Sequence, residues 1–308
     1  MKKLFIIGNG FDIDHGLKTQ YSDFQDYLIN TFGALDKDVY YVPEPKHTSK
    51  YDSDYNYFEL AQFIYSVISM NMECSGAWYN IEDLLGKLNY EPFLQDEYSY
   101  DIDEDYEWGI VRNNEDIATM ISSAMVYLYK FFKDWVNQID VTNVTPKEDF
   151  KKLIQNDNNL FISFNYTETL ECVYNQENVF HIHGKQGQKL VFGHGESCYD
   201  FSYYERNYPG SESILRELDK EFEKDTESII KDYSGIFKNM ANIDEVYSYG
   251  FSFSEVDLVY MREIFKNNDT NNIVWYFNMY DNDKIKEFQK RLKSLGFLGK
   301  FGEFRIKK

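Results

Sequence analysis

The stretch Lys2-Lys3-Leu4-Phe5-Ile6-Ile7-Gly8-Asn9-Gly10-Phe11-Asp12 decides how this chain is read. Leu4 to Ile7 is an unbroken apolar run, the pattern of a strand buried in a sheet. It ends in Gly8-Asn9-Gly10, where glycines let the backbone turn sharply and approach a pyrophosphate with no Cβ in the way. The spacing is not a complete G-x-G-x-x-G, because Ile13 stands where the third glycine would be. A nucleotide or dinucleotide is the first ligand this opening points to. The competing reading is a buried strand followed by an ordinary glycine turn.

The rest of the composition narrows the class. The 308 residues are enough for one large α/β domain or a domain with a substantial insertion. With 43% hydrophobic residues the chain is that of a packed globular protein. Its 27 Tyr and 25 Phe read as core and interface material, apolar in bulk with a polar tip on each tyrosine. A net charge of −20 repels phosphate backbones, and the most basic stretch, Lys284 to Lys293, reads as the solvated face of a helix. Direct nucleic-acid binding is therefore not expected, whereas a small anionic ligand held by backbone amides is compatible with the charge.

The three cysteines, Cys74, Cys172 and Cys198, form no C-x-x-C pair, which argues against a disulfide framework or a four-cysteine zinc site. The apolar run after Met1-Lys2-Lys3 is too short for a signal peptide, and no stretch is long enough to span a bilayer. The expectation is a cytoplasmic protein with no membrane association.

Hydrophobic periodicity organises the remainder. Thr19 to Phe32 reads as helix, with Ser22 and Gln25 as a capping box, and Val42 to Asp54 as loop. Leu60, Phe63, Ile64, Val67 and Ile68 have helical spacing. Asn80 caps a helix carrying Ile81, Leu84, Leu85 and Leu88. Glu91 to Glu107 reads as an acidic surface loop, and Glu115 to Ile139 as a third long helix. The expected arrangement is one domain over residues 1–308, with a helical insertion at about 50–145. In the second half, strands at Asn159–Phe164, Val179–Ile182, Lys189–Phe192, Glu245–Tyr249 and Asn272–Phe277 alternate with helices. These helices fall at Thr167–Tyr174, Ser211–Met240, Glu255–Phe265 and Asp281–Leu295. This alternation predicts an α/β fold: a mostly parallel, Rossmann-like sheet with helices on both faces.

Ligands of such sheets bind beyond the carboxyl ends of the strands. Four strands end in polar, non-packing residues: Gly8 to Asp12, Asn165-Tyr166-Thr167-Glu168, His181-Ile182-His183-Gly184, and Gly250-Phe251-Ser252-Phe253-Ser254. Gly8 to Asp12, His15-Gly16-Leu17 and Tyr21-Ser22-Asp23-Phe24 resemble the opening signature of the AbiH family of bacteriophage abortive-infection proteins. Trp78-Tyr79-Asn80-Ile81-Glu82, Phe164 to Thr167, His181 to Gly184 and Gly250 to Ser252 continue that signature in order. More remotely, the set is similar to sirtuin-like NAD-binding domains, so the resemblance implies a sirtuin-like sheet.

The resemblance also implies roles. Gly8 and Gly10 correspond to the dinucleotide turn, with Asn9, Phe11, Asp12, His15, Gly184, Gly250 and Ser252 around the ligand. Asn165 corresponds to the asparagine that holds the nicotinamide ribose or a water, and His183 to the catalytic histidine. The four-cysteine zinc module and the Pro-Asp-Phe-Arg element of sirtuin deacetylases are missing, so deacetylation is not implied. What remains is the part needed to break the nicotinamide–ribose bond, with NAD as substrate or ligand and no metal. Histidine suits a general base because its free pKa lies near neutrality.

Bland alternatives stand beside these roles. His183 closes a strand, Asn165 caps a helix, Asp12 and His15 cap the first helix, Asp257 caps a later one, and Glu82 complements a helix dipole. Two other functional classes are also open. One is a nucleotide-binding sensor that works through a partner or assembly without turnover. The other is a metal-dependent hydrolase built on His181, His183 and His194, the last in a flexible-looking Gly193-His194-Gly195 turn. Homo-oligomerisation and a phage-derived trigger complete the expected partners.

Overall fold

Strand β1 (Lys3–Ile7) takes the centre of the principal sheet in the computed structural model, which describes residues 1–49, 52–72, 78, 80–95, 106–155 and 158–307. Along the described chain follow β2 (Lys46–Ser49), β3 (Asp52–Asp54), β4 (Leu160–Ser163), β5 (Val179–His181), β6 (Glu245–Tyr249), β7 (Val274–Asn278) and β8 (Lys300–Phe304). The principal sheet has the order β5-β4-β1-β6-β7-β8, and every neighbouring pair in it is parallel. Counted along the chain within that sheet, the order is 3-2-1-4-5-6. It is that of doubly wound dinucleotide folds, which reverse direction between strands 1 and 4. Here the reversal falls between β1 and β6.

Alternation along β1 explains why both faces are covered. Leu4 and Ile6 join one buried cluster with Ile162, Val246, Trp275 and Phe277. Phe5 and Ile7 join another with Phe161, Tyr247, Tyr249 and Phe150. Four aromatic rings cross the second face as a ladder. Phe161, Phe5, Tyr247 and Tyr276 stack with centroids 5.0, 5.1 and 4.8 Å apart and planes within 18°. They occupy paired register positions on β4, β1, β6 and β7. Part of the aromatic excess is therefore a cross-strand stack, a geometry that adds to simple burial.

The chain divides into two compact units. The sheet unit is Met1–Gln20, Val136–Val191 and Asp225–Lys308; the second is Tyr21–Trp135 and Phe192–Lys224. Of the helical segment expected at about 50–145, the part up to Trp135 falls in a unit that begins at Tyr21 and also takes in 192–224, and the part from Val136 on falls in the sheet unit. The core of the second unit includes Phe24, Leu28, Phe63, Ile64, Ile121 and Phe132, all essentially inaccessible.

Several local expectations are revised. The helix Tyr21–Phe32 starts before Ser22, so Ser22 lies inside the first turn and cannot be its cap. The Val42–Asp54 loop contains the antiparallel pair β2–β3. The third long helix is two, Tyr106–Met125 and Tyr127–Gln138. Of the expected Glu91–Glu107 loop, Glu91–Leu94 is helical and 96–105 lie outside the described residues, as do Cys74 and Tyr79. Lys189–Phe192 forms no strand, Ser211–Met240 is three short helices, and β8 was not anticipated.

Candidate functional site

The polar ends of β1, β4, β5 and β6 all lie at the carboxyl edge of one parallel sheet, as the sequence implied. The β1 turn meets the β6 turn directly. Gly8 N donates to Tyr249 O and Gly10 N donates to Gly250 O, each at 3.0 Å. A Cβ on Gly10 would lie 2.7 Å from Gly250 Cα, and one on Gly250 would lie 2.2 Å from Phe11 N. Gly250 also has φ +66°, a region that disfavours any side chain. Close approach of two strand tips is sufficient reason for these glycines. In this arrangement the amides of Gly8 and Gly10 are engaged by protein.

The short helix Asn9–Asp14 follows, and its residues are tied to their surroundings one by one. Asn9 Nδ2 donates to Thr19 O at 2.7 Å. Phe11 is fully buried against Phe150 and Tyr249. Asp12 is buried and accepts hydrogen bonds from Thr167 Oγ1 at 2.5 Å and Thr169 Oγ1 at 2.8 Å. Burial pushes its carboxyl up to about 6, against the lowering effect of Thr167, Thr169, the Asn165 side chain and His181. His15 uses both ring nitrogens, Nδ1 with Phe11 O at 2.7 Å and Nε2 with the Tyr174 hydroxyl at 2.5 Å. Burial lowers the His15 pKa. The Phe11 carbonyl can only accept, so in the neutral ring the proton is on Nδ1 and Nε2 accepts from the Tyr174 hydroxyl, whose oxygen also accepts from Lys147 N. Asp14 bonds Lys147 Nζ at 2.7 Å and receives the Tyr249 hydroxyl; these contacts outweigh burial and lower its pKa.

Asn165 and His183 stand two residues past the paired positions Ser163 and His181 on adjacent strands β4 and β5. Both are buried. Asn165 O accepts from His181 Nδ1 at 2.9 Å, while Asn165 Oδ1 is buried with no hydrogen-bond partner. A buried amide oxygen without a donor is costly and marks a place for a ligand or water. Asn165 does not cap the following helix, Thr169–Tyr174, which begins four residues on.

His183 packs edge-on to Phe164 with centroids 5.4 Å apart, and its carbonyl accepts from Val191 N at 2.8 Å. Its Nε2 lies 3.3 Å from Asp257 Oδ1, both side chains under one-tenth exposed. That contact falls short of good hydrogen-bond geometry. Gly184 makes the turn that carries His183; at φ +77° its Cβ would sit 2.1 Å from Lys189 O. Ser252 is exposed.

His181, by contrast, is a satisfied structural histidine. Its Nε2 meets Glu171 Oε1 at 2.9 Å, and Glu171 also binds Lys185 at 3.2 Å. These contacts with His181 and Lys185 overcome burial and lower the Glu171 pKa.

In the second unit, His194 is 1% exposed and backbone-paired with Phe222 and Lys224, so its turn is not a loose one. His194 Nε2 meets Asp219 O at 3.0 Å and lies 3.3 Å from Asp219 Oδ1. The Asp219 contacts outweigh burial and raise the His194 pKa. Glu82 forms an ion pair of 2.9 Å with the fully buried Lys224. Among the described residues no group of three or more His, Cys, Asp and Glu side chains is gathered to hold a metal ion. Cys172 and Cys198 are free and exposed.

The sequence reading missed the Thr167–Thr169 clasp on Asp12 and the approach of Asp257 to His183. Thr-x-Thr after a strand and Ser254-x-x-Asp257 after a glycine turn are the only local signals for them.

Among the described residues no helix is long and apolar enough to cross a membrane. No match was found among curated proteins or solved structures. The profile of the family described as bacteriophage abortive infection AbiH matches residues 4–279, a span that runs from β1 through β7. The chain therefore belongs to the AbiH family, whose role is abortive-infection defence against bacteriophage.

Proposed function

We propose that this protein carries out its defence role by hydrolysing NAD at the nicotinamide–ribose bond, with Asn165 and His183 at the reacting end. The observation that carries the reading is the pairing of these two buried side chains at neighbouring strand ends, one with an unsatisfied amide oxygen. The 3-2-1-4-5-6 strand order supports it, since such sheets take nucleotides at their carboxyl edge. In the reaction the C1′–N1 bond breaks, and its electron pair passes to the pyridinium nitrogen. Water adds at C1′ and gives its proton to His183, leaving nicotinamide and ADP-ribose. Asn165 orients the ribose or the water, and positioning supplies much of the rate.

The test is nicotinamide release from NAD by the full chain. Asn165→Ala and His183→Ala are expected to lower turnover by about 100-fold or more while circular dichroism shows the fold retained. Absence of release from the parent protein, together with no rise in melting temperature on adding NAD, would sink the reading.

One observation favours a second reading, a nucleotide sensor or latent enzyme. Gly8 and Gly10 are closed on β6, and Asn165 and His183 are each about 5% exposed or less. A pyrophosphate reaches those amides only after the Gly10–Gly250 contact parts. A sensor predicts stabilisation by NAD with no product.

A further inference from the structure

Asp257 ends the 3-10 turn Glu255–Asp257 that runs into the helix Leu258–Lys266, and its side chain makes no capping hydrogen bond. Its two oxygens turn elsewhere. Oδ2 accepts from Ser254 Oγ at 2.7 Å, and Oδ1 lies 3.3 Å from His183 Nε2. The carboxylate is buried, as is the imidazole. A buried carboxylate can only accept, so a ring nitrogen facing it is stable only when it carries a proton. A neutral imidazole with its proton on one nitrogen has its lone pair on the other.

We propose that Asp257 is the positioning residue of His183: it keeps the imidazole proton on Nε2 and leaves Nδ1 as the basic nitrogen offered to the substrate. This rests on the reading of His183 as the base in glycosidic hydrolysis, and it fixes which nitrogen does the work. The off-line 3.3 Å contact tightens as His183 takes up charge, when the carboxylate becomes the counter-ion of the imidazolium. Ser254 holds the other oxygen, so the carboxylate has one orientation rather than two.

The test separates the tie from the reaction. The full chain is labelled with ¹⁵N-histidine, and long-range ¹H–¹⁵N spectra report the tautomer of each of its five histidines. The His183 signals are those lost in His183→Gln. The parent protein is expected to show His183 with Nε2 protonated. In Asp257→Asn, Ser254 fixes the amide oxygen on its own side and turns the NH₂ toward Nε2, so the proton moves to Nδ1. Nicotinamide release should then fall about 100-fold in kcat, with KM for NAD changed less than about 3-fold. Ser254→Ala should keep the tautomer and lose less than about 5-fold in kcat. If Asp257→Asn does not fold, Asp257→Ala is expected to give a mixture of both tautomers.

A His183 tautomer unchanged in a folded Asp257 variant overturns the proposal, whatever the activity. If the parent releases no nicotinamide, the NAD reading fails while the spectra still decide whether Asp257 governs His183.

Discussion

Asp12 shows how a side chain can be both a structural clasp and a cost. Its carboxyl is enclosed, accepts two threonine hydroxyls and sits near the Asn165 amide. Burial still wins, and the pKa rises from 3.8 to about 6. The sign follows from linkage. Between those two values the folded chain keeps a proton that the unfolded chain has released, so stability falls as pH rises through the window and levels off above it. Two units correspond to roughly 3 kcal/mol. Urea unfolding from pH 4 to pH 7 should show this decline in the parent, and a flatter profile in Asp12→Asn. An identical slope in both would mean that Asp12 ionises freely in the fold. At this scale the placement of the candidate residues was legible: Asn165 and His183 come together at adjacent strand ends. The partners were not, because Thr167, Thr169 and Asp257 act through contacts 74 to 157 residues away in sequence and carry no local periodicity.

Secondary elements were readable in proportion to how much they bury. Strand β6 was placed to the residue, and Val246 to Tyr249 are all buried. Strand β8 was missed because Lys300 and Glu303 are exposed and Gly302 interrupts the apolar pattern. That glycine has a role visible only in the sheet: its missing Cβ makes room for the Tyr276 ring, 2.6 Å from where a Cβ would stand. The fracture of the expected Ser211–Met240 helix at Glu223–Asp225 follows from Lys224 pairing with the His194 backbone and with Glu82. The glycine turns have a measurable consequence here. Gly250→Ala places a methyl where the Phe11 amide lies and holds an L residue at φ +66°. It should destabilise the chain by about 2 kcal/mol or more in urea unfolding. A loss below about 0.5 kcal/mol would show that the two turns separate easily, as a pyrophosphate site needs.

The whole molecule carries a net charge of −20, and self-repulsion of like charges opposes the folded state. Raising ionic strength from about 0.01 M to about 0.15 M shortens the screening length from about 30 Å to about 8 Å. The melting temperature should rise, by about 2–4 °C for each kcal/mol of repulsion relieved. A fall instead would show that surface ion pairs outweigh the net charge. Two-unit architecture was the part least visible in sequence. The segment 192–224 is amphipathic like any helical stretch, and nothing local records which unit it joins.

The position of β1 also has a consequence for biosynthesis. The most apolar strand of the sheet is made first, whereas its partner β6 lies about 240 residues downstream. At roughly 5–20 residues per second, a ribosome takes on the order of 10–50 seconds to supply that edge. Throughout that interval Leu4–Ile7 is a nascent segment without its second neighbour. Such a segment is a natural client for chaperones that bind chains as they emerge.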